Sequence, residues 1–258
     1  MKVSIIVSVT NNDAFFKCAV HSFNNLKNIC NNCTIIPVFN HLKKIHLISA
    51  INQALSACDS DIIAIIHQDA LLSVDCWSKI IAAFTNDSVG VVGFAGISYT
   101  CSYSDCFESG LPVDSSFLVG TVYSHDRSII WNGRSDGEIH SPDEFAFCVR
   151  NIGRPVMSVR THQHHYAADI SMIYRSAGYR VIGVCSDPVH DISYSSSTGD
   201  GGFIQSLIEL RERWHLDFDE HLMPHSCWSG NIAISRMPVT IGTTSSNITS
   251  QYQLFELA

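Results

Sequence analysis

The sequence predicts an α/β fold, a mainly parallel central sheet flanked by helices. Two observations carry the prediction. Over residues 1–97, short β-branched apolar runs alternate with segments whose apolar residues recur at helical spacing, the pattern of βαβ units. The third such run, Asp61-Ile62-Ile63-Ala64-Ile65-Ile66, has no polar alternation after Asp61. A strand of that kind is covered on both faces, as the strands of parallel sheets are.

The elements follow in order. Residues 3–9 read as a first buried strand, and the run is shorter than the apolar core and cleavage site of a secretory signal require. The polar break Thr10-Asn11-Asn12-Asp13 comes next, with Asp13 suited to cap a helix. From residue 14 to about 28, Phe15, Phe16, Ala19, Val20, Phe23 and Leu26 recur at helical spacing. Residues 34–39 form a second strand, and Ile45, Leu47, Ile48, Ile51 and Leu55 mark a second helix ending near Ala57. After the third strand come a helix over 77–84 and a fourth strand over 89–95. The second half is less regular. Residues 98–116 are rich in Ser, Tyr, Asp and Cys and read as a long loop. Segments 117–123 and 128–131 suit strands, with Asn132-Gly133 as a turn. Residues 145–150 are short and apolar. Residues 164–177 read as a helix stopped by Gly178, 179–184 as a strand, 191–202 as a flexible stretch and 203–214 as a last helix. No repeat or Pro-rich linker interrupts the chain, which predicts one domain over 1–258.

Composition excludes several classes. The chain of 258 residues carries 16 Lys+Arg against 24 Asp+Glu, a formal net charge of −8. That balance argues against a nucleic-acid binder working by broad phosphate neutralisation. An apolar content of 46% is far above that of disordered chains. No apolar run is long enough to predict a transmembrane helix. Lys43-Lys44 is only a pair, short of the polybasic cluster that holds a protein on anionic lipid. Among the 10 cysteines only Cys30-Asn31-Asn32-Cys33 has metal or redox spacing, with no second such pair. The cysteines are therefore read as free thiols of a reducing compartment.

The chemistry concentrates where strands end, because open parallel sheets bind ligands beyond their carboxyl ends. Those places are Thr10 to Asp13, Asn40-His41, and His67-Gln68-Asp69. The last is the strongest: an apolar strand running into a polar cluster with one carboxylate. A carboxylate there can hold a hard divalent cation, which can bridge and neutralise a substrate diphosphate. The bland alternative is an Asp capping the next helix.

At this point the sequence resembles a known family. Ser4-Ile5-Ile6-Val7, then Asn52, then the third strand with His67-Gln68-Asp69, resembles the nucleotide-sugar-binding half of a family 2 glycosyltransferase of the GT-A fold. Later pieces agree in order: Val89-Gly90-Val91-Val92-Gly93, residues 143–150, the segment His164-His165-Tyr166-Ala167-Ala168-Asp169, and Val189-His190. The variant turn resembles that of a branch of small bacterial glycosyltransferases. The resemblance covers roughly residues 3–195. It implies a GT-A-like nucleotide-diphospho-sugar transferase fold, with a nucleotide-sugar-binding half at 1–97, an acceptor and catalytic half at 98–200, and a C-terminal helix and tail at 201–258.

The resemblance also implies roles. Asp69 and His190 would hold Mg²⁺ or Mn²⁺. His67, with Gln68 beside it in the variant turn, would lie beside the donor ribose. Thr10 and Asn12 would line the nucleobase pocket, Asn40 would read the base, and Asn52 would approach the nucleotide. The donor substrate would be a nucleotide-diphosphate sugar, and the acceptor a hydroxyl of a growing cell-surface glycan such as lipopolysaccharide. The implied setting is cytoplasmic, extending to peripheral association at the inner membrane face. Nothing in the sequence addresses the oligomeric state.

Departures from the family pattern bear on mechanism. The first acid of the usual DxD motif is His67, and Asn40 stands where an Asp often reads the base. Ala167 occupies the place of the usual catalytic base of inverting enzymes, and a methyl group accepts no proton. His165 and Asp169, which share a helix face at i,i+4, are candidate substitutes, with Asp143 and Glu144 as other acids on the acceptor side. An imidazole titrates near neutral pH and suits proton abstraction from a sugar hydroxyl. Two other classes stay open at this point. The missing base fits a degenerate, non-catalytic sugar-nucleotide binder. The set His162, His164, His165, Asp169 and His190 has the composition of a metallohydrolase site.

Overall fold

In this computed structural model, residues 1–39, 42, 44–101, 115–133, 135–153, 157, 164–191 and 201–214 are described. The first strand is Val3–Ser8 (β1), and its residues 3–7 are all buried. It leads into one long helix, α1 (12–27), made of a first turn Asn12–Ala14, a π-helical stretch Phe15–Ala19 and Val20–Lys27. The expected cap at Asp13 is corrected to Asn11, whose side chain accepts from the Ala14 amide. The helix starts two residues earlier than the hydrophobic period shows, and Asp13 lies in its first turn, where a negative charge favours the dipole. Next come Cys33–Val38 (β2), Leu47–Ala57 (α2), Ile62–His67 (β3), Ala70–Leu71 (β4) and Val74–Ala83 (α3). Helix α3 begins three residues before the expected 77, at a Ser73 cap that accepts from the Cys76 amide.

The second half adds Val89–Gly93 (β5), Gly96–Ser98 (β6), Leu118–Val119 (β7), Thr121–Tyr123 (β8), Ile129–Asn132 (β9), Gly137–Pro142 (β10) and Ala146–Arg150 (β11). Tyr166–Ser176 (α4), Arg180–Gly183 (β12), Val189–His190 (β13) and Gly201–Trp214 (α5) complete it. The expected strand over 117–123 is split at Gly120. Its φ is +79°, and a Cβ there would collide with the Phe94 carbonyl, so only glycine fits.

The main sheet has nine strands in the order β2-β1-β3-β11-β5-β12-β10-β6-β7, and β4-β13-β8-β9 form a second. The expected mainly parallel sheet is corrected to a mixed one. β1 pairs in parallel with β2 and β3, and β12 with β5. β11, however, enters antiparallel between β3 and β5, and β10 and β6 extend the sheet antiparallel. A run such as Ala146–Arg150, buried on both faces, carries no mark of its direction, because burial alone fixes its apolar pattern.

Neighbouring residues of each strand feed opposite cores, as the two-residue period requires. Ile5 and Val7 join Leu26 of α1 and Trp77 and Ile80 of α3 on one face. Ile6, Ile63 and Ile65 join Ile51 and Leu55 of α2 and Ile170 and Tyr174 of α4 on the other. The result is a helix–sheet–helix sandwich whose β1, β2 and β3 end together, with Ser8 opposite both Val38 and His67. No described helix is long and apolar enough to cross a membrane.

The cysteine reading is corrected at one position. Cys101 is disulfide-bonded, whereas Cys18, Cys30, Cys33, Cys58, Cys76, Cys148 and Cys185 are free thiols. Sequence shows which sulfurs are flanked by apolar residues, but not which two approach closely enough to bond.

Candidate active site

The site is assembled at the common carboxyl edge of β1, β2 and β3. β3 ends at His67, and the turn Gln68-Asp69 leads directly into β4. Gln68 points back to the β1–α1 connection. Its Oε1 accepts from the amides of Thr10 and Asn11, both at 2.7 Å, and its Nε2 donates to Thr10 Oγ1 at 2.9 Å. Gln68 and Thr10 therefore brace two of the loops that bound the crevice. Asn12 is exposed on the first helical turn.

Asp69 is buried, with only 4% of its surface exposed. Its Oδ1 lies 3.9 Å from His67 Nδ1 and 3.6 Å from His190 Nε2. Among the described residues, His67, Asp69 and His190 form a group able to hold a metal ion, with ligand atoms within 4.8 Å of one another. His190 arrives on β13, which pairs antiparallel with β4, placing His190 opposite Ala70. Phe145 stacks on the His190 ring at 5.1 Å and 18°. The donor set of two imidazole nitrogens and one carboxylate oxygen fits a divalent cation.

The antiparallel entry of β11 puts its leading residues at this same edge, since Ala146 lies opposite Ile66. Asp143 and Glu144 are thereby buried next to the cluster. Asp143 Oδ1 accepts from the Phe145 amide at 3.0 Å, and the His67 amide donates to the Phe145 carbonyl at 2.7 Å. Tyr166, the first residue of α4, joins the two. Its hydroxyl is 3.0 Å from His67 Nε2 and donates to the Glu144 carbonyl at 3.1 Å. Burial, then the charges of Glu144, Asp143 and Asp69, push the Tyr166 hydroxyl well above its ordinary pKa, so it keeps its proton.

His165 is buried and takes a left-handed conformation, φ 63°, as the N-cap of α4. Its carbonyl accepts from the Asp169 amide at 3.1 Å. The Asp169 carboxylate, fully buried, accepts from Trp214 Nε1 at 2.8 Å, and Arg213 Nε lies 3.4 Å away. Those two residues belong to α5, so Asp169 ties α5 to α4. Ala167, at the family's usual base position, is buried inside α4.

Asn52 uses both ends of its amide on the backbone of Met157: Nδ2 donates to the carbonyl at 2.8 Å and Oδ1 accepts from the amide at 3.0 Å. Asn40 and His162 lie outside the described residues. A cavity of about 290 Å³ opens between the end of β2 and α2, lined by residues including Val38, Phe39, Ile45 and Gln53. Its lining includes none of the His/Asp cluster. Among the described residues, the metal-capable group joins His190 to Asp69 and His67; His162 of the metallohydrolase set lies outside them.

Sequence reasoning missed Tyr166 and the link from Asp169 to Trp214. The only available signal for Tyr166 was its place directly after two histidines at a helix start. For Trp214 there was none, because the contact joins two helices far apart in the chain.

The fold and this crevice define the class of protein: an α/β sandwich of the glycosyltransferase type. The chain is similar to the mannosyltransferase PcManGT from Pyrobaculum calidifontis, solved with GDP-Man and Mn²⁺. The identity is 14%, the TM-score 0.51, and the match covers 84% of this chain and 64% of that one. It is likewise similar to GalNAc-T7, solved with UDP, GalNAc and Mn²⁺. Here the identity is 8%, the TM-score 0.50, and the coverage 82% and 48%. The chain thus spans less than two thirds of the length of either. No curated protein matches it. Residues 4–152 match the family described as "Glycosyltransferase like family", and the chain belongs to that family.

Proposed function

We propose that the protein transfers a sugar from a nucleotide-diphosphate donor to a hydroxyl of a cell-surface glycan, with inversion at the anomeric carbon. The observation that carries this reading is the His67–Asp69–His190 group at the carboxyl edge of β3, in a chain of the glycosyltransferase-like family. A cation held there, Mg²⁺ or Mn²⁺, would offset the charge of the departing diphosphate. Asp69 supplies the carboxylate of the group, and His190 is fixed beside it by strand pairing. In this reading Thr10, Asn12, Asn40, Asn52 and Gln68 would serve the nucleotide, in a donor-binding half over 1–97. The acceptor side is built from 98–200, where Asp143, Glu144 and His165 are the candidates to accept the proton of the hydroxyl. Residues 201–258 contribute α5, which holds Asp169 through Trp214.

The test is a thermal-shift panel with UDP, GDP, CMP and TDP derivatives, with and without Mn²⁺. Stabilisation by a nucleotide only in the presence of the cation is the expected result, followed by turnover with the matching sugar donor. No cation-dependent shift with any nucleotide would overturn the proposal. A second reading, a sugar-nucleotide binder without turnover, is favoured by Ala167 at the usual base position and by the engagement of Asp169 with Trp214. A shift without sugar transfer or donor hydrolysis would select it.

A further inference from the structure

Tyr166 touches the cluster but has no place in the roles above. Its hydroxyl is buried between two partners, the Glu144 carbonyl at 3.1 Å and His67 Nε2 at 3.0 Å. A carbonyl oxygen only accepts, so the single phenolic proton is directed to Glu144. The phenolic oxygen then faces His67 as an acceptor, and Nε2 must carry the hydrogen between them. A neutral imidazole holds one N–H, so its other nitrogen, Nδ1, keeps the lone pair. Nδ1 is the nitrogen that lies 3.9 Å from Asp69 Oδ1.

We infer that Tyr166 is a positioning residue that locks His67 in its Nε2–H tautomer and so turns the Nδ1 lone pair toward the cation position beside Asp69. The inference rests on the reading of His67, Asp69 and His190 as a metal site. The arrangement is held by backbone as well as side chains. The His67 amide donates to the carbonyl of Phe145, the residue after Glu144, so the β3–β11 register fixes the imidazole and the accepting carbonyl relative to each other. A tyrosine at the first position of α4 completes the chain from carbonyl to phenol to imidazole to cation. Partners that orient a metal-bound imidazole in this way change metal affinity by about 10–100-fold when removed.

The test uses the full chain with ¹⁵N-labelled histidine, metal-free, at a pH of about 8, where imidazoles are neutral. Long-range ¹H–¹⁵N spectra report the tautomer, and His67 is assigned by the signal lost in His67→Gln. The wild-type protein is expected to show the Nε2–H form. Tyr166→Phe is expected to lose that preference and to bind Mn²⁺, followed by electron paramagnetic resonance, about 10–100-fold more weakly. An Nδ1–H tautomer in the wild type overturns the inference, and this measurement stands alone if Tyr166→Phe does not fold. Mn²⁺ affinity in Tyr166→Phe equal to wild type overturns it while leaving the metal site intact. Failure of the wild type to bind Mn²⁺ removes the metal site and this role together.

Discussion

His190 Nε2 lies 3.6 Å from Asp69 Oδ1, and backbone pairing sets that distance. β13 and β4 are two-residue strands that pair antiparallel with His190 opposite Ala70. One residue further, the Asp191 amide donates to the Asp69 carbonyl at 3.0 Å. Phe145 covers the imidazole face. The two candidate ligands therefore meet before any ion arrives, which reduces the ordering that binding would otherwise require.

Asp69→Asn should separate charge from architecture. The amide keeps the shape of the side chain, and the main-chain bond to Asp191 survives. Loss of the charge from a direct ligand should lower Mn²⁺ affinity at least about 100-fold, the top of the range for losing a partner that only orients a ligand. Isothermal titration calorimetry measures it. Affinity within about threefold of wild type would show that Asp69 holds no cation.

His190→Ala removes one nitrogen donor and the stacked ring but leaves the β4–β13 register. Mn²⁺ binding should weaken by at least the about 10–100-fold that loss of a ligand-orienting partner costs, while the chain keeps its circular dichroism spectrum. A variant with unchanged Mn²⁺ affinity would reduce His190 to packing against Phe145.

The sequence made β1, β3 and the turn after β3 readable, because doubly buried strands and a lone acid after an apolar run leave local marks. The second half was less legible for an equally physical reason. β6 and β10 pair with each other across a register shift, and neither Gly96–Ser98 nor Gly137–Pro142 has a distinctive period. Asp143 and Glu144 were visible as acids, but their approach to His67 depends on the antiparallel insertion of β11. His67 was placed beside the ribose by resemblance. Its membership of the metal-capable group emerges only when β13 brings His190 alongside.

Asp169 separates a structural role from a catalytic one. Its carboxylate is fully buried and is met by Trp214 Nε1 and Arg213 of α5. Hydrogen bonds to a charged group contribute about 1.5–3 kcal/mol, and Asp169→Asn should lose stability of that order. The loss should be shared with Trp214→Phe, so that the double variant is less destabilised than the two single variants added together. Urea unfolding of the four proteins gives the coupling. Strictly additive effects would mean that the contact does not hold α5 in place.

His140 provides a pH signature independent of the metal cluster. It sits on β10 with Nε2 3.2 Å from the Cys101 carbonyl and its ring 5.0 Å from that of Tyr99. Burial lowers its pKa from 6.5 to about 4; the nearby charge of Arg175 acts in the same direction, and the Cys101 carbonyl opposes it. The sign follows from proton binding. Below pH 6.5 the unfolded chain takes up a proton that folded His140 does not accept until about pH 4. Its contribution to stability is therefore complete above 6.5 and declines as the pH falls toward 4, by on the order of 3 kcal/mol in all. Glu138, on the same strand, titrates lower: burial raises its pKa, but the opposing bonds and charges of Arg175 and Arg180 leave it below its ordinary 4.5. Its contribution is thus retained above pH 4.5, so between 6.5 and 4.5 Glu138 does not enter the comparison. Urea unfolding across that interval should show wild type losing stability more steeply than His140→Phe, which has nothing to protonate there. Equal slopes would mean that His140 is as easily protonated in the folded chain as in the unfolded one.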